Sequence, residues 1–149
     1  FRSAYEKGLK YLSVRGYSEK ELYNKLKMKF GDGASRRAID KMLRLGYIND
    51  EEFCREYAKY LFEVKKYDIK RISYELKNKG IDSEIAENTL KTLDNEPIQR
   101  IIDMLRSKYE RNLETEKDRK RLVNRFIRMG YSYRDIKDAF YEVGVEMPQ

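Results

Sequence analysis

Apolar positions recur at helical spacing along almost the whole chain. Leu22, Leu26 and Phe30 follow one another at four-residue intervals, as do Ile72 and Leu76, and Leu122 and Phe126. Nowhere do apolar and polar residues alternate as a strand requires, and Val and Ile are scattered rather than clustered. Pro97 stands where a helix starts and Pro148 at the C-terminus. The pattern predicts an all-α protein.

Laid over one another, the helices reveal a repeat at an offset of 50 residues. Ser18 to Leu26 aligns with Asp68 to Leu76, and both align with Asp118 to Phe126. Each copy opens with Ser or Asp, whose side-chain oxygen can accept from the first free N–H groups of a helix. Ser18 and Glu21 also have the spacing of a capping box. Gly80 and Gly130 stand where a helix ends in a left-handed residue. A second Ser follows in each copy, at Ser35, Ser83 and Ser132, ahead of another amphipathic stretch. The first copy is expected to carry a turn three residues longer, containing Gly31-Asp32-Gly33, with Phe30 in place of the helix-ending glycine.

A third helix precedes each pair, at about 3–14, 51–65 and 97–109. The chain therefore reads as three tandem three-helix repeats, 1–48, 49–95 and 96–149. Each is too small to bury its own apolar stripe, so stacking is expected to give an elongated, curved solenoid. Glu110–Asp118 is expected to be the longest loop. Gly8 lies inside a helix, where glycine costs about 0.5–1 kcal/mol relative to Ala; close approach of another helix would account for it.

Composition narrows the function. The 149 residues contain no His and no Trp, and Cys54 is the single cysteine. The commonest general base and metal ligand is thus missing. One cysteine cannot form an internal disulfide or a Cys-rich zinc site, which fits an intracellular protein; in a helical pattern Cys54 reads as a small packed residue. Thirteen Tyr and six Phe argue against disorder. No apolar run approaches the ~20 residues that span a membrane. Phe1 rather than Met at the start is what a piece of a longer gene product would show.

Net charge is +7, which points to an acidic partner, nucleic acid first. Residues 1–48 carry 12 basic and 5 acidic groups, residues 49–95 carry 9 and 11, and residues 96–149 carry 12 and 10. The excess is concentrated at the N-terminal end. Arg119, Lys120, Arg121, Arg125 and Arg128 form a second concentration. Lys20, Lys70 and Lys120 occupy one place in the repeat, away from the apolar stripe, and Lys70, Tyr74 and Lys77 share a helix face. Such faces could follow a phosphate backbone, although charged outer faces are also ordinary on helices.

Catalytic signals are poor. Asn49-Asp50-Glu51-Glu52 could offer oxygens to Mg²⁺, but reads better as a helix cap with first-turn acids facing the dipole. Gly31-Asp32-Gly33 lacks the strand before it and the Lys-Ser/Thr after it that a phosphate-binding loop needs. The expectation is a non-enzyme with no cofactor and no metal.

Four stretches stand in order along the chain: Tyr11-Leu12-x-x-Arg15-x-Tyr17-Ser18-x-x-Glu21-Leu22-x-x-Lys25-Leu26, Leu45-Gly46-Tyr47-Ile48-Asn49-Asp50-x-x-Phe53-x-x-x-Tyr57, Arg71-Ile72-x-x-Glu75-Leu76-x-x-Lys79-Gly80-Ile81 and Arg125-Phe126-x-x-x-Gly130-Tyr131-Ser132. Together they resemble the RecX family, bacterial regulators of the RecA recombinase, over about residues 4 to 144. The resemblance implies a cytoplasmic modulator, acting in DNA repair, recombination and the SOS response, that lodges in the groove of the RecA–single-stranded-DNA filament and dampens its activities. A monomer is expected, with duplex DNA a weaker partner. The contacts expected are Arg15, Lys20, Lys25, Lys27, Arg36 and Arg37, then Lys70 and Lys77, then Arg119, Lys120, Arg121, Arg125 and Arg128. Two other readings stay open. One is a helix-turn-helix reader of DNA, with Arg36 and Arg37 at the start of a recognition helix; the other is a repeat scaffold for a protein partner.

Overall fold

The structure is a computed structural model describing residues 1–149. It has nine α-helices and no strand: α1 Arg2–Val14, α2 Glu19–Phe30, α3 Asp32–Arg44, α4 Asp50–Glu63, α5 Ile69–Asn78, α6 Ser83–Leu90, α7 Pro97–Ser107, α8 Glu116–Arg128 and α9 Tyr133–Glu142. A short 3₁₀ turn, Glu110–Leu113, lies between α7 and α8. The fold is all-α with helices in sets of three, as the periodicity implies.

Several caps fall where the sequence puts them. Ser18 Oγ accepts from the Glu21 N–H, Ser132 Oγ from the Asp135 N–H, and Asp68 Oδ2 from the Lys70 N–H. Three ends differ. α8 starts earlier than Asp118, because Thr115 supplies an equivalent oxygen three residues upstream and accepts from the Asp118 N–H at 3.1 Å. Glu116 and Asp118 then sit in the first turn, facing the positive end of the dipole. The long loop expected at 110–118 shrinks accordingly, and most of it is 3₁₀ turn or helix. In α6 the cap is Asp82, accepting from the Glu84 N–H, and Ser83 is already helical. In the first set the longer turn is absent. Gly31, at φ +79° and ψ 175°, ends α2 and opens α3 in one residue. Only glycine adopts that conformation cheaply, and it takes the helix-ending role missing at Phe30. Ser35 is therefore buried inside α3 with its hydroxyl unpartnered.

Contacts group the chain into two compact units, Phe1–Lys59 with Tyr74–Lys91, and Tyr60–Ser73 with Thr92–Gln149. Residues of α4 and α5 are divided between the two. In the first unit α1, α2 and α3 pack around Ala4, Leu22, Leu26, Ala38, Ile39, Met42 and Ile48. Gly8 is the close-approach point of this core: a Cβ there would lie 2.6 Å from Met42 Cε. Cys54 is wholly buried in the same unit, and burial pushes its thiol pKa up. In the second unit α7, α8 and α9 enclose Ile101, Leu105, Leu122, Ile136 and Phe140. Phe126 forms T-shaped pairs with Tyr109 and Tyr131, with ring centroids 5.8 and 6.0 Å apart, a favoured aromatic geometry.

One joint occurs in both units: the start of one helix meets the glycine-terminated end of another. In the first, Ser18 Oγ donates to the Lys79 carbonyl while still capping α2, and the Lys20 stem lies across Gly80. In the second, the Asp68 N–H donates to the Met129 carbonyl at 2.9 Å and Arg71 Nη1 donates to the Arg128 carbonyl. Helix ends leave N–H and C=O groups unpaired, and each joint pairs some of them. The approach is close enough to exclude a side chain: a Cβ on Gly130 (φ +99°) would lie 2.6 Å from Arg71 Cβ and 2.8 Å from its backbone nitrogen.

Gly130 and Gly144 separate backbone strain from crowding, since Gly144 (φ +76°) has nothing within 4 Å of a built Cβ. Gly144→Ala is expected to cost about 1–2 kcal/mol, the left-handed term alone. Gly130→Ala adds overpacking against fixed backbone and is expected to cost roughly 2–4 kcal/mol. Urea midpoints for the two variants measure the difference.

Candidate nucleic-acid interface

The cations expected at the basic end are largely engaged within the first unit. Arg15 stacks 3.6 Å from the Tyr17 ring and donates two hydrogen bonds to the Glu21 carboxylate, at 3.2 and 3.1 Å. Lys25 stands 4.5 Å from the Tyr11 ring, and its Nζ donates to Tyr17 Oη at 3.2 Å. Arg36 and Lys27 lie over Tyr23 at 4.4 and 5.8 Å, and Arg36 also approaches Glu19 and Asp40 at 3.9 Å. With α3 beginning at Asp32, Arg36 and Arg37 fall in its second turn, not at its start. That placement removes the base-reading position a helix-turn-helix would give them. Arg37 is exposed, and so is the head of Lys20, whose stem covers Gly80.

Glu21 holds this region together electrically. Its carboxylate also takes the Lys79 ammonium at 2.6 Å. Burial alone would raise its pKa, but hydrogen bonds from Arg15 and Lys79 outweigh burial and hold it below 4.5. Arg15 is shifted up, chiefly by its hydrogen bond to Glu21. The acidic run after Asn49 serves helix ends: Asn49 Oδ1 accepts from the Glu52 N–H, and Asp50 Oδ1 from the Glu19 N–H at 2.8 Å. No group of His, Cys, Asp and Glu is placed to hold a metal ion, and no helix is long and apolar enough to cross a membrane.

Lys70, Tyr74 and Lys77 are exposed on α5, and Lys120 and Arg121 on α8, where Arg121 approaches Asp118 at 3.9 Å. Arg119 turns inward: its Nη1 donates to the Leu113 carbonyl at 2.7 Å and pins the 3₁₀ turn. Arg125 and Arg128 do something the sequence did not foretell. They line a cleft of about 730 Å³ in the second unit together with Lys65, Lys66, Arg71 and Lys108. Six cations converge there from three segments, and no carboxylate lines the cleft. Lys65, Lys66 and Arg71 went unread because the middle repeat carries more acids than bases, which masks the Lys-Lys pair between α4 and α5, and Lys108 because it lies apart from the Arg119–Arg128 concentration in the third repeat. That adjacent pair was the available signal.

Comparison with known families gives two matches. Residues 4–42 match the model of the first three-helix domain of RecX and residues 49–90 that of the second, together more than half of the chain. The chain belongs to the RecX family. The regulatory protein RecX of Mycolicibacterium smegmatis is 30% identical over 132 residues, covering 83% of this chain and 70% of that protein. RecX of Prosthecochloris aestuarii is 26% identical over 143 residues, covering 95% and 94%. RecX of Caldanaerobacter subterraneus subsp. tengcongensis is 30% identical over 132 residues, and the match spans 64% of its length. The crystal structure of RecX from Lactobacillus salivarius shares the fold at a TM-score of 0.73 and 22% identity, covering 95% of each chain. A second RecX crystal structure gives 0.70 at 19% identity, covering 92% of this chain and 71% of that one.

The Arg15–Glu21–Lys79 cluster predicts a pH dependence. The folded Glu21 pKa is depressed, so its contribution is complete above about pH 4.5 and is lost as pH falls through the folded value. Glu21→Gln is expected to cost about 1–2 kcal/mol at pH 7, the lower part of the range for charged hydrogen bonds because the cluster is partly exposed. The gap from the parent protein should close in acid, as read from urea midpoints at both pH values.

Proposed function

We propose that this protein regulates a RecA-type recombinase by binding the filament that the recombinase forms on single-stranded DNA, and that it does so by inhibition. Membership of the RecX family carries the reading. Supporting it are cations that remain exposed on separate helices, Lys70 and Lys77 on α5 and Lys120 and Arg121 on α8, and the carboxylate-free basic cleft. A filament groove is lined by acidic phosphate and protein surface, and cations at successive helices suit it. The action needs binding alone, without catalysis or cofactor. Within this reading the repeats 1–48, 49–95 and 96–149 act as successive modules of one monomer, in the cytoplasm, during DNA repair and recombination under SOS conditions. Arg15, Lys25, Arg36 and Arg119 serve chiefly as internal braces, given their partners. Lys20, Lys27, Arg37, Lys70, Lys77, Lys120, Arg121, Arg125 and Arg128 are the groups offered to the filament.

The test is recombinase ATPase on single-stranded DNA as this protein is added. Hydrolysis is expected to fall as it approaches stoichiometry with recombinase protomers, and filaments seen by electron microscopy should shorten or change in groove density. An unchanged rate and unchanged filaments would sink the reading. Binding to the recombinase that is identical with and without DNA would favour a plain protein scaffold instead.

A further inference from the structure

The cleft in the second unit has a feature that packing alone does not require. Lys66 is the one non-glycine residue in the chain with positive φ, at +62°. A left-handed backbone is unfavourable for a long side chain, and helix ends elsewhere in this chain use glycine for it, at Gly46, Gly80, Gly130 and Gly144. Here a lysine takes it, and the surroundings hold it there. Tyr131 Oη donates to the Lys66 carbonyl at 2.6 Å, and Arg100 Nε donates to Tyr131 Oη at 3.3 Å. Arg100 Nη2 donates to the Phe62 carbonyl at 2.8 Å, and its guanidinium lies 3.6 Å from the Phe62 ring. A turn braced from two sides keeps Lys65 and Lys66 at the cleft, opposite cations from α7 and α8. Strained backbone held in place by neighbours clusters at functional sites.

We propose that this cleft is a binding site for the phosphodiester backbone of single-stranded nucleic acid, with Tyr131 and Arg100 as positioning residues for Lys66. The proposal rests on the function proposed above and gives it an atomic site. Lys65, Lys66, Lys108, Arg125 and Arg128 reach the cleft from three directions with no carboxylate in its lining, and an anion seated there would offset their mutual repulsion. Single strands fit better than duplex because Tyr60, 45% exposed and one turn before Val64 of the cleft wall, presents a ring beside the Lys65 ammonium at 6.0 Å. An exposed aromatic ring next to cations stacks an unpaired base, whereas duplex bases are already stacked.

The discriminating variant is Lys66→Gly. It relieves the backbone strain while removing a cation, so its thermal midpoint is expected to hold or rise while affinity falls. The readout is fluorescence anisotropy of a labelled oligothymidylate with the full chain and no recombinase. Lys66→Gly should weaken binding several-fold and lower the slope of log K against log salt by about 0.7. Arg125→Ala with Arg128→Ala should lower it about twice as much. Lys137→Ala, exposed on α9 outside the cleft, should change neither slope nor midpoint. Tyr131→Phe keeps the ring and loses the donor, and should bind more weakly with Lys66 intact.

Parent-like binding by Lys66→Gly and by the double arginine variant overturns the proposal. So does equal, cleft-dependent binding of duplex of the same length, or of polyglutamate at matched charge. If cleft variants bind DNA normally but no longer inhibit the recombinase, the site is wrong and the regulatory reading stands. If they lose DNA while the parent protein never affects the recombinase, the site stands and the regulatory reading falls.

Discussion

The meeting of one helix's start with another's glycine-ended finish is the constraint on which both compact units depend. A helix start offers free N–H groups and a helix end free carbonyls, and burial of either without a partner is costly. Ser18 meets both needs at once, accepting from the Glu21 N–H and donating to the Lys79 carbonyl, while itself wholly buried. Asp68 divides the task, with its carboxylate capping α5 and its main-chain N–H reaching Met129. The approach needs glycine for two reasons, positive φ and the absence of a Cβ. The aromatic Tyr131 that follows Gly130 then turns into the second core beside Phe126.

Charge is distributed by the same packing. Much of the excess in residues 1–48 is spent inside the first unit, because the tyrosines there act as seats for cations. Tyr11, Tyr17 and Tyr23 each carry two or more cationic groups over their rings. Such contacts contribute about 0.5–1 kcal/mol each when exposed, and they leave the cation partly available to solvent. The second unit has a smaller net charge but concentrates it, with Arg125, Arg128 and Lys108 facing Lys65, Lys66 and Arg71 across one cleft. Local convergence, not net charge, decides where an extended polyanion would be held.

Helix number, order and most caps were legible because they rest on short-range rules: a 3.6-residue period, an oxygen at the N-cap, a glycine at the C-terminus. The same rules misplaced three ends. Asp118 and Thr115 both supply a suitable oxygen, and only the fold of Glu110–Leu113, held by Arg119, chooses between them. Ser83 lost to Asp82 in the same way. Gly31 was read as part of a loop because a single residue reversing a chain at φ +79° leaves no compositional trace beyond the glycine itself.

By itself, then, the sequence determined an all-α chain of repeated helices, the glycines at its joints, and a family, since all of these are written in residue type and spacing. Tertiary structure alone decided which cations are spent on tyrosines and carboxylates and which converge on a cleft. It also decided that the middle helices belong to both compact units, and that Lys66 holds a backbone shape glycine would normally take. The reason is physical. Spacing along a helix dictates a face, but an electrostatic site is made by side chains tens of residues apart, such as Lys66, Lys108 and Arg125, brought together only when the helices pack.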